Sequence, residues 1–341
     1  MPNWLVFSSK DLKNWEEYEV PLKTSDFQWA SGNFSWASQV IERNGKFYWF
    51  VSTEHSSMPR KAIGVAVSNS PTGPFIDAKG TALITNNMTT KWTGISWDDI
   101  DPTVWVDDDG QAYIFWGKSK CYYAKLKDNR IELDSEIMNV SLPNFTEAPW
   151  IHKRGDWYYL SYSAWWPEKT VYAMGQSING PWEYKGILNE LAGNSNTNHH
   201  AIVEYGDNWY FVYHNGGTRT NGGSYLSSVC MDYLYYNEDN SIKSIQMTTE
   251  GVKKLEAITM SIEVNPNKRT QIKVYPNPTD GIIKVELPDE DLMNYELALF
   301  DMKGVKQLSS FLDNTKKSQL NLSHLSKGIY ILNCINSDRL I

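Results

Sequence analysis

Acidic residues are the first side chains of this sequence set closely enough together to do chemistry. The stretch "DDIDPTVWVDDDG" places Asp98, Asp99, Asp101, Asp107, Asp108 and Asp109 within twelve positions. Such a cluster fits a metal cradle, a solvated turn or part of a catalytic carboxylate set. The segment "PTVWV" reads as a strand, and the six residues from Asp101 to Asp107 would span about 20 Å at the usual rise. The aspartates therefore fall at opposite ends of one strand. Asp107, Asp108 and Asp109 run into Gly110 as a hairpin turn, and their spacing lacks the alternating ligands of a calcium loop. Asp98 and Asp99 are expected in a solvated lead-in. That leaves Asp101, which opens the strand, as the candidate for chemistry.

The elements that must position it recur along the chain. "RNGKFYWFVS" (43–52), "DDGQAYIFWG" (108–117), "KRGDWYYLSY" (153–162) and "EYGDNWYFVY" (204–213) share one design. Each is a polar, glycine-containing turn followed by an aromatic-rich strand, and each follows an apolar stretch. Strand, tight turn, strand is the implied unit, with glycine supplying the positive φ of the turn. "SNSPTGPFIDA" (68–78) and "QSINGPWEYKG" (176–186) follow two of the hairpins as turns into an outer strand. "SSKDLKNWEEY" (8–18) fills the same slot with no hairpin before it. A four-stranded unit repeating at this spacing predicts an all-β, five-bladed β-propeller over residues 1–262, its first blade incomplete.

Composition shifts near residue 262. The last tryptophan is Trp209, and "EVNPNKRTQ" (263–271) reads as a linker. Alternating apolar residues between Asn-Pro, Asp-Gly and Lys-Gly turns then predict a small antiparallel β-sandwich over 272–341.

Whole-chain properties narrow the partners. The net charge is −8 with both signs scattered, so nucleic acid and anionic membrane surfaces are not expected partners. No apolar run approaches the roughly 20 residues that span a bilayer. The N-terminus carries no visible signal peptide. Cys121, Cys230 and Cys334 are far apart and odd in number, which predicts buried free thiols rather than a disulfide framework. The 20 tyrosines and 15 tryptophans suit both a β core and stacking on sugar rings.

The ordered run "WLVFSSKDLKNWEEY", "WASQVIERNGKFYWFVS", "DIDPTVWVDDDGQAYIFWG", "TEAPWIHKRGDWYYLSYSA" and "TNHHAIVEYGDNWYFVYH" resembles glycoside hydrolase family 43, in its arabinofuranosidase and xylosidase branch. "VYPNPTDG", "LFDMKG" and "LSKGIYIL" resemble the C-terminal sorting domain of type IX secretion. The first resemblance implies inverting hydrolysis that releases α-L-arabinofuranosyl or β-D-xylosyl units from plant polysaccharide. The second implies export by the type IX machinery to the outside of the cell or its outer surface.

Inverting hydrolysis needs an acid for the leaving oxygen and a base for water. By resemblance Glu147 is the general acid and Asp101 tunes and orients it. The family's acid motif reads Glu-Gly-Pro, whereas this chain has Glu147-Ala148-Pro149. The family's general base opens an earlier strand, upstream of residue 1, so this chain is expected to be N-terminally truncated and impaired in turnover. A non-catalytic carbohydrate-binding propeller is the alternative. Trp36 is expected to stack on sugar, and Trp150 and Trp165 to exclude water. His199 is expected at the axis, where the resemblance implies a calcium or other cation held through water; a metal-free, hydrogen-bonded histidine is the other reading. No cofactor is required, and His200 is expected to be structural. Leu226 and Ser227 stand where relatives often carry a basic pair.

Overall fold

The computed structural model describes residues 3–253 apart from 33, 59 and 207, and residues 273–286, 295–301, 306–311 and 317–336. The chain divides into two compact units, 1–257 and 258–341. The linker expected at 263–271 lies outside the described residues.

The first unit opens with β1 (Asn3–Trp4), β2 (Phe7–Ser9), β3 (Trp15–Glu17) and β4 (Leu22–Lys23), paired antiparallel as β1–β4 and β2–β3. A larger sheet follows, made of β5 (Ala30–Ser31), β6 (Ser38–Arg43), β7 (Lys46–His55), β8 (Lys61–Ser68), β9 (Ile76–Asp77) and β10 (Ile84–Thr85). Two four-stranded meanders come next. One holds β11 (Thr103–Val106), β12 (Ala112–Trp116), β13 (Cys121–Leu126) and β14 (Met138–Val140). The other holds β15 (Phe145–Arg154), β16 (Trp157–Ala164), β17 (Lys169–Gly175) and β18 (Glu183–Asn189). A three-stranded sheet of β19 (His200–Tyr205), β20 (Asn208–Asn215) and β21 (Ser228–Leu234) completes the unit.

All four hairpins read from the sequence form, as β6–β7, β11–β12, β15–β16 and β19–β20. In the second of them, Gly110 takes φ +85° and donates its N–H to Asp107 O. Only glycine adopts that conformation at no steric cost, which is why the turn falls there.

Successive sheets pack face to face, and each interface is an aromatic-rich core. Trp4, Leu22, Phe27, Trp29 and Phe75 close the N-terminal strands on the first large sheet. Phe50, Ile63, Ile114, Trp116 and Tyr122 join that sheet to the next. Phe115, Tyr123, Ile151 and Leu160 make the following interface, and Tyr159, Tyr172, Ile202 and Phe211 the one after it. Each large side chain so buried contributes about 1.5–3 kcal/mol. Cys121 is buried as expected, and Cys230 is only half-buried. The side chain of Cys334 lies outside the described residues.

The second unit contains two antiparallel three-stranded sheets. One has the order β22 (Lys273–Tyr275), β23 (Ile282–Glu286), β26 (Lys317–Asn321); the other is β25 (Lys306–Phe311), β24 (Tyr295–Asp301), β27 (Tyr330–Asn336). Val285 and Leu320 of the first sheet and Leu297 of the second meet in one core cluster. No helix among the described residues is long and apolar enough to cross a membrane.

Candidate active site

Asp101 sits two residues before β11 with a left-handed backbone, φ +59°. Its N–H donates to the Ser52 hydroxyl at 2.9 Å, and its Oδ2 accepts the Ala148 N–H at 3.1 Å. A left-handed aspartate is uncommon and strained, and it persists here because neighbouring strands hold it on both sides.

The aspartates just before it correct the sequence reading. Asp98 and Asp99 were expected in a solvated lead-in, and both are completely buried. Asp98 accepts from Asn86 at 2.9 Å and from the Tyr122 hydroxyl at 2.7 Å. Asp99 accepts from Trp116 Nε1 at 2.8 Å and from Thr89 Oγ1 at 3.0 Å. Four donors from other parts of the chain replace the expected water. The pair anchors the site: Asp98 O and Ile100 O accept the N–H groups of Lys118 and Gly117, which ties the end of β12 to the approach to Asp101.

Glu147 lies in β15 at a break in the ladder. The pairing with β16 shifts register on both sides of it, and Ala148 takes φ +55°. A bulge of this kind re-aims a side chain out of the regular alternation. Lys118 Nζ then reaches Glu147 Oε2 at 2.6 Å.

A third carboxyl, which the sequence reading missed, joins them. Glu168 lies between Pro167 and β17, and its side chain is 1% exposed. Its Oε2 accepts the Asn198 N–H at 2.9 Å, and Lys118 Nζ stands 3.9 Å from its Oε1. Lys118 was missed as well. The one local signal was charge in apolar company, a lysine after "YIFWG" and a glutamate after "WWP". Neither spacing shows that the two converge.

The electrostatics follow from three carboxyls sharing one ammonium. Burial pushes Asp101 well above the usual carboxylate range, and Glu147 adds to the rise; the Ala148 N–H opposes it, Glu168 reinforces it and Lys118 opposes it. Burial, followed by Glu147, pushes Glu168 up to about 8, against the pull of the Asn198 N–H and Lys118. Like charges this close cannot all ionise, so the cluster retains protons at neutral pH.

His199 Nδ1 lies 3.9 Å from Asp101 Oδ2. Its surroundings desolvate the ring and push it down to about 4, although Glu147 opposes the fall. The ring is therefore neutral at pH 7, and the contact with Asp101 is not an ion pair. Among the described residues no three His, Cys, Asp or Glu side chains converge in a way that could hold a metal ion. The donor set at His199 does not fit direct coordination. His200 is structural, buried with its Nε2 2.6 Å from Ser161 Oγ and its ring stacked on Phe211.

The expected aromatic residues part company. Trp166 and Trp97 have their rings 6.0 and 5.2 Å from Lys118 Nζ, beside the carboxyl cluster. Trp165, next to Trp166, is 39% exposed and held by Thr146 Oγ1 donating to its carbonyl at 2.9 Å. Trp36 donates its N–H to Ser52 O, on the residue whose hydroxyl carries Asp101. Its indole is partly exposed and lies over Lys61 Nζ at 3.8 Å. Trp150 does not join the water-excluding wall expected of it. Its Nε1 donates to Ile202 O at 2.9 Å and its ring packs into the core shared by β16, β19 and β20. The bulge at Glu147 shifts the alternation, which puts Trp150 between two sheets.

Both units of the chain are similar to known proteins. The sequence profile of the glycosyl hydrolases family 43 matches residues 1–242, and that of the secretion system C-terminal sorting domain matches 273–341. The chain is 31% identical over 291 residues to a xylosidase/arabinosidase of Bacteroides ovatus, covering 72% of this chain and 84% of that protein. To xylosidase/arabinosidase 43A of Humicola insolens it is 29% identical, covering 71% and 85%. Among solved structures, an α-L-arabinofuranosidase of Clostridium thermocellum superposes with a TM-score of 0.65 at 35% identity, covering 75% of this chain and 85% of that one. A β-xylosidase/α-arabinofuranosidase from a compost metagenome, solved with xylotriose in a calcium-free form, gives 0.63 at 27% identity over 72% and 83%.

Proposed function

Because the chain belongs to glycosyl hydrolase family 43 and is a glycosidase by that membership, we propose that it releases α-L-arabinofuranosyl or β-D-xylosyl residues from arabinoxylan- or arabinan-type polysaccharide, with inversion. The observation that carries the reading is the carboxyl cluster of Asp101, Glu147 and Glu168 around Lys118. Two of its carboxyls, Asp101 and Glu168, are held above the usual carboxylate range by burial and then by the neighbouring Glu147. Glu147 is the general acid, and Asp101, anchored to the next residue along through Ala148 N–H, fixes its orientation. Trp36 and Trp165 offer exposed ring faces for the sugar. His199 supplies a neutral hydrogen-bonding edge, and no step runs through a metal.

The reading takes the first unit as a five-bladed propeller, with β1–β4 in its first blade, and the second as a β-sandwich. Relatives named for xylose and arabinose units support the substrate class. The sorting domain points to type IX secretion, and so to a secreted or surface-attached enzyme.

No residue of this chain is assigned the role of general base, so turnover in buffer is expected to be reduced by about 10²- to 10⁴-fold. Azide attacks without needing a base. The test is to incubate the chain with aryl α-L-arabinofuranosides and aryl β-D-xylosides, with and without azide. Slow release that azide accelerates, giving a glycosyl azide of inverted configuration, supports the assignment. Glu147→Gln should lower release by about 10²- to 10⁴-fold with poor leaving groups and far less with dinitrophenolate. No release from any pentoside, with or without azide, overturns the reading.

A further inference from the structure

Lys61 is a charged side chain beside the sugar platform to which the reading above gives no role. It begins β8, directly across the ladder from Glu54 of β7, and it is only 6% exposed. Its Nζ lies 3.8 Å from the centre of the Trp36 ring and 4.5 Å from that of Phe34, two side chains that are themselves 37% and 45% exposed. Among the described residues the ammonium takes part in no hydrogen bond and no ion pair. Glu54 attracts it without contact, its Oε2 lying against Gly32, and Arg60 repels it. A charge taken out of water is costly unless an anion meets it, and aromatic faces offset only part of that cost.

Two backbone paths tie this lysine to the site. The Trp36 N–H donates to Ser52 O at 3.0 Å, and the Ser52 hydroxyl accepts the Asp101 N–H at 2.9 Å. The Lys61 N–H donates to Ser96 O at 3.4 Å, one residue before Trp97, whose ring lies 5.2 Å from Lys118 Nζ. Lys118 is already engaged by Glu147 at 2.6 Å, whereas Lys61 has no such partner. We propose that Lys61 is a specificity residue for an anionic substituent on the saccharide, a uronate carboxylate or a sulfate ester, received beside the rings of Phe34 and Trp36. The chemistry follows from the side chain. An ammonium on a packed stem is a fixed point charge with three N–H donors. Sugar hydroxyls would fill the donors and leave the charge uncompensated; a carboxylate or sulfate supplies both acceptors and charge.

The proposal rests on the saccharide reading of this site and names the substituent it selects. Its test is binding rather than turnover, measured by calorimetry on the full chain. The probes are a xylooligosaccharide bearing one glucuronosyl branch, the same molecule with that carboxyl reduced to an alcohol, and a xylooligosaccharide with and without a sulfate ester. At least one anionic probe should bind about tenfold tighter than its neutral twin, and which one does so identifies the anion. The preference should shrink as added salt screens the charge. Lys61→Met should bring the anionic probe down to the affinity of its twin, whereas a purely structural role would weaken both together. Lys61→Arg, which keeps the charge, should retain the preference at least in part. Should Lys61→Met fail to fold, the paired probes on the unaltered chain still decide. Equal affinity for anionic and neutral twins, or a preference that survives Lys61→Met, overturns the proposal and leaves the pentoside reading standing. A chain that binds none of the four overturns both.

Discussion

At the scale of single residues, the site depends on backbone conformations that its side chains do not favour. Asp101 and Ala148 are both left-handed, at φ +59° and +55°, and they are joined by a hydrogen bond. The departure from Glu-Gly-Pro to Glu-Ala-Pro therefore falls where glycine would be unstrained. Ala148→Gly should stabilise the chain by about 1 kcal/mol, because an alanine at positive φ costs more than the entropy its methyl group saves. The check is the urea midpoint, which should rise with an unchanged slope. A fall would mean that packing of the methyl group outweighs the strain.

The element that matters most is the segment from β10 to β11, which carries the buried Asp98–Asp99 pair. Burial, and after it Asp98, pushes Asp99 up to about 7, with Trp116 and Thr89 pulling the other way. A carboxyl bound more tightly to its proton in the folded state stabilises the fold at low pH. That stability is lost as pH rises from the unfolded value of about 4 through the folded one. For one proton the slope approaches about 1.4 kcal/mol per pH unit across that window. Asp101 and Glu168 tilt the curve the same way. Asp99→Asn should flatten the pH 4–7 dependence by close to one proton's worth, read as denaturant stability at several pH values. An unchanged slope would show that Asp99 is already ionised at pH 5.

For the whole molecule, export and catalysis are assigned to different units. The sorting profile covers 273–341, and the chain divides near residue 257. Deleting 273–341 in a host with type IX secretion should leave the protein inside the cell, with the hydrolase unit still folded. Fractionation together with thermal unfolding checks this, and normal export of the shortened chain would sink it.

The sequence alone determined the repeating hairpins, since a turn glycine followed by alternating aromatic residues allows few other structures. It likewise separated Asp107–Asp109 from Asp101, because strand rise is fixed per residue and the two groups occupy opposite ends of β11. Through the resemblance it singled out Glu147 and Asp101, and the fold joins Asp101 to the residue after Glu147 by the Ala148 N–H. What it could not reach was anything decided by chain segments meeting from different sheets. Asp98 and Asp99 looked solvated because their donors, Asn86, Thr89, Trp116 and Tyr122, lie outside the aspartate stretch and come to them only by folding. Trp150 looked like a pocket wall because a bulge cannot be read from alternation. Lys118 and Glu168 were not singled out, because nothing in their spacing shows that they converge. Only the tertiary structure removes their water and sets them against Glu147, and that desolvation is what turns three separate charges into a proton-holding site.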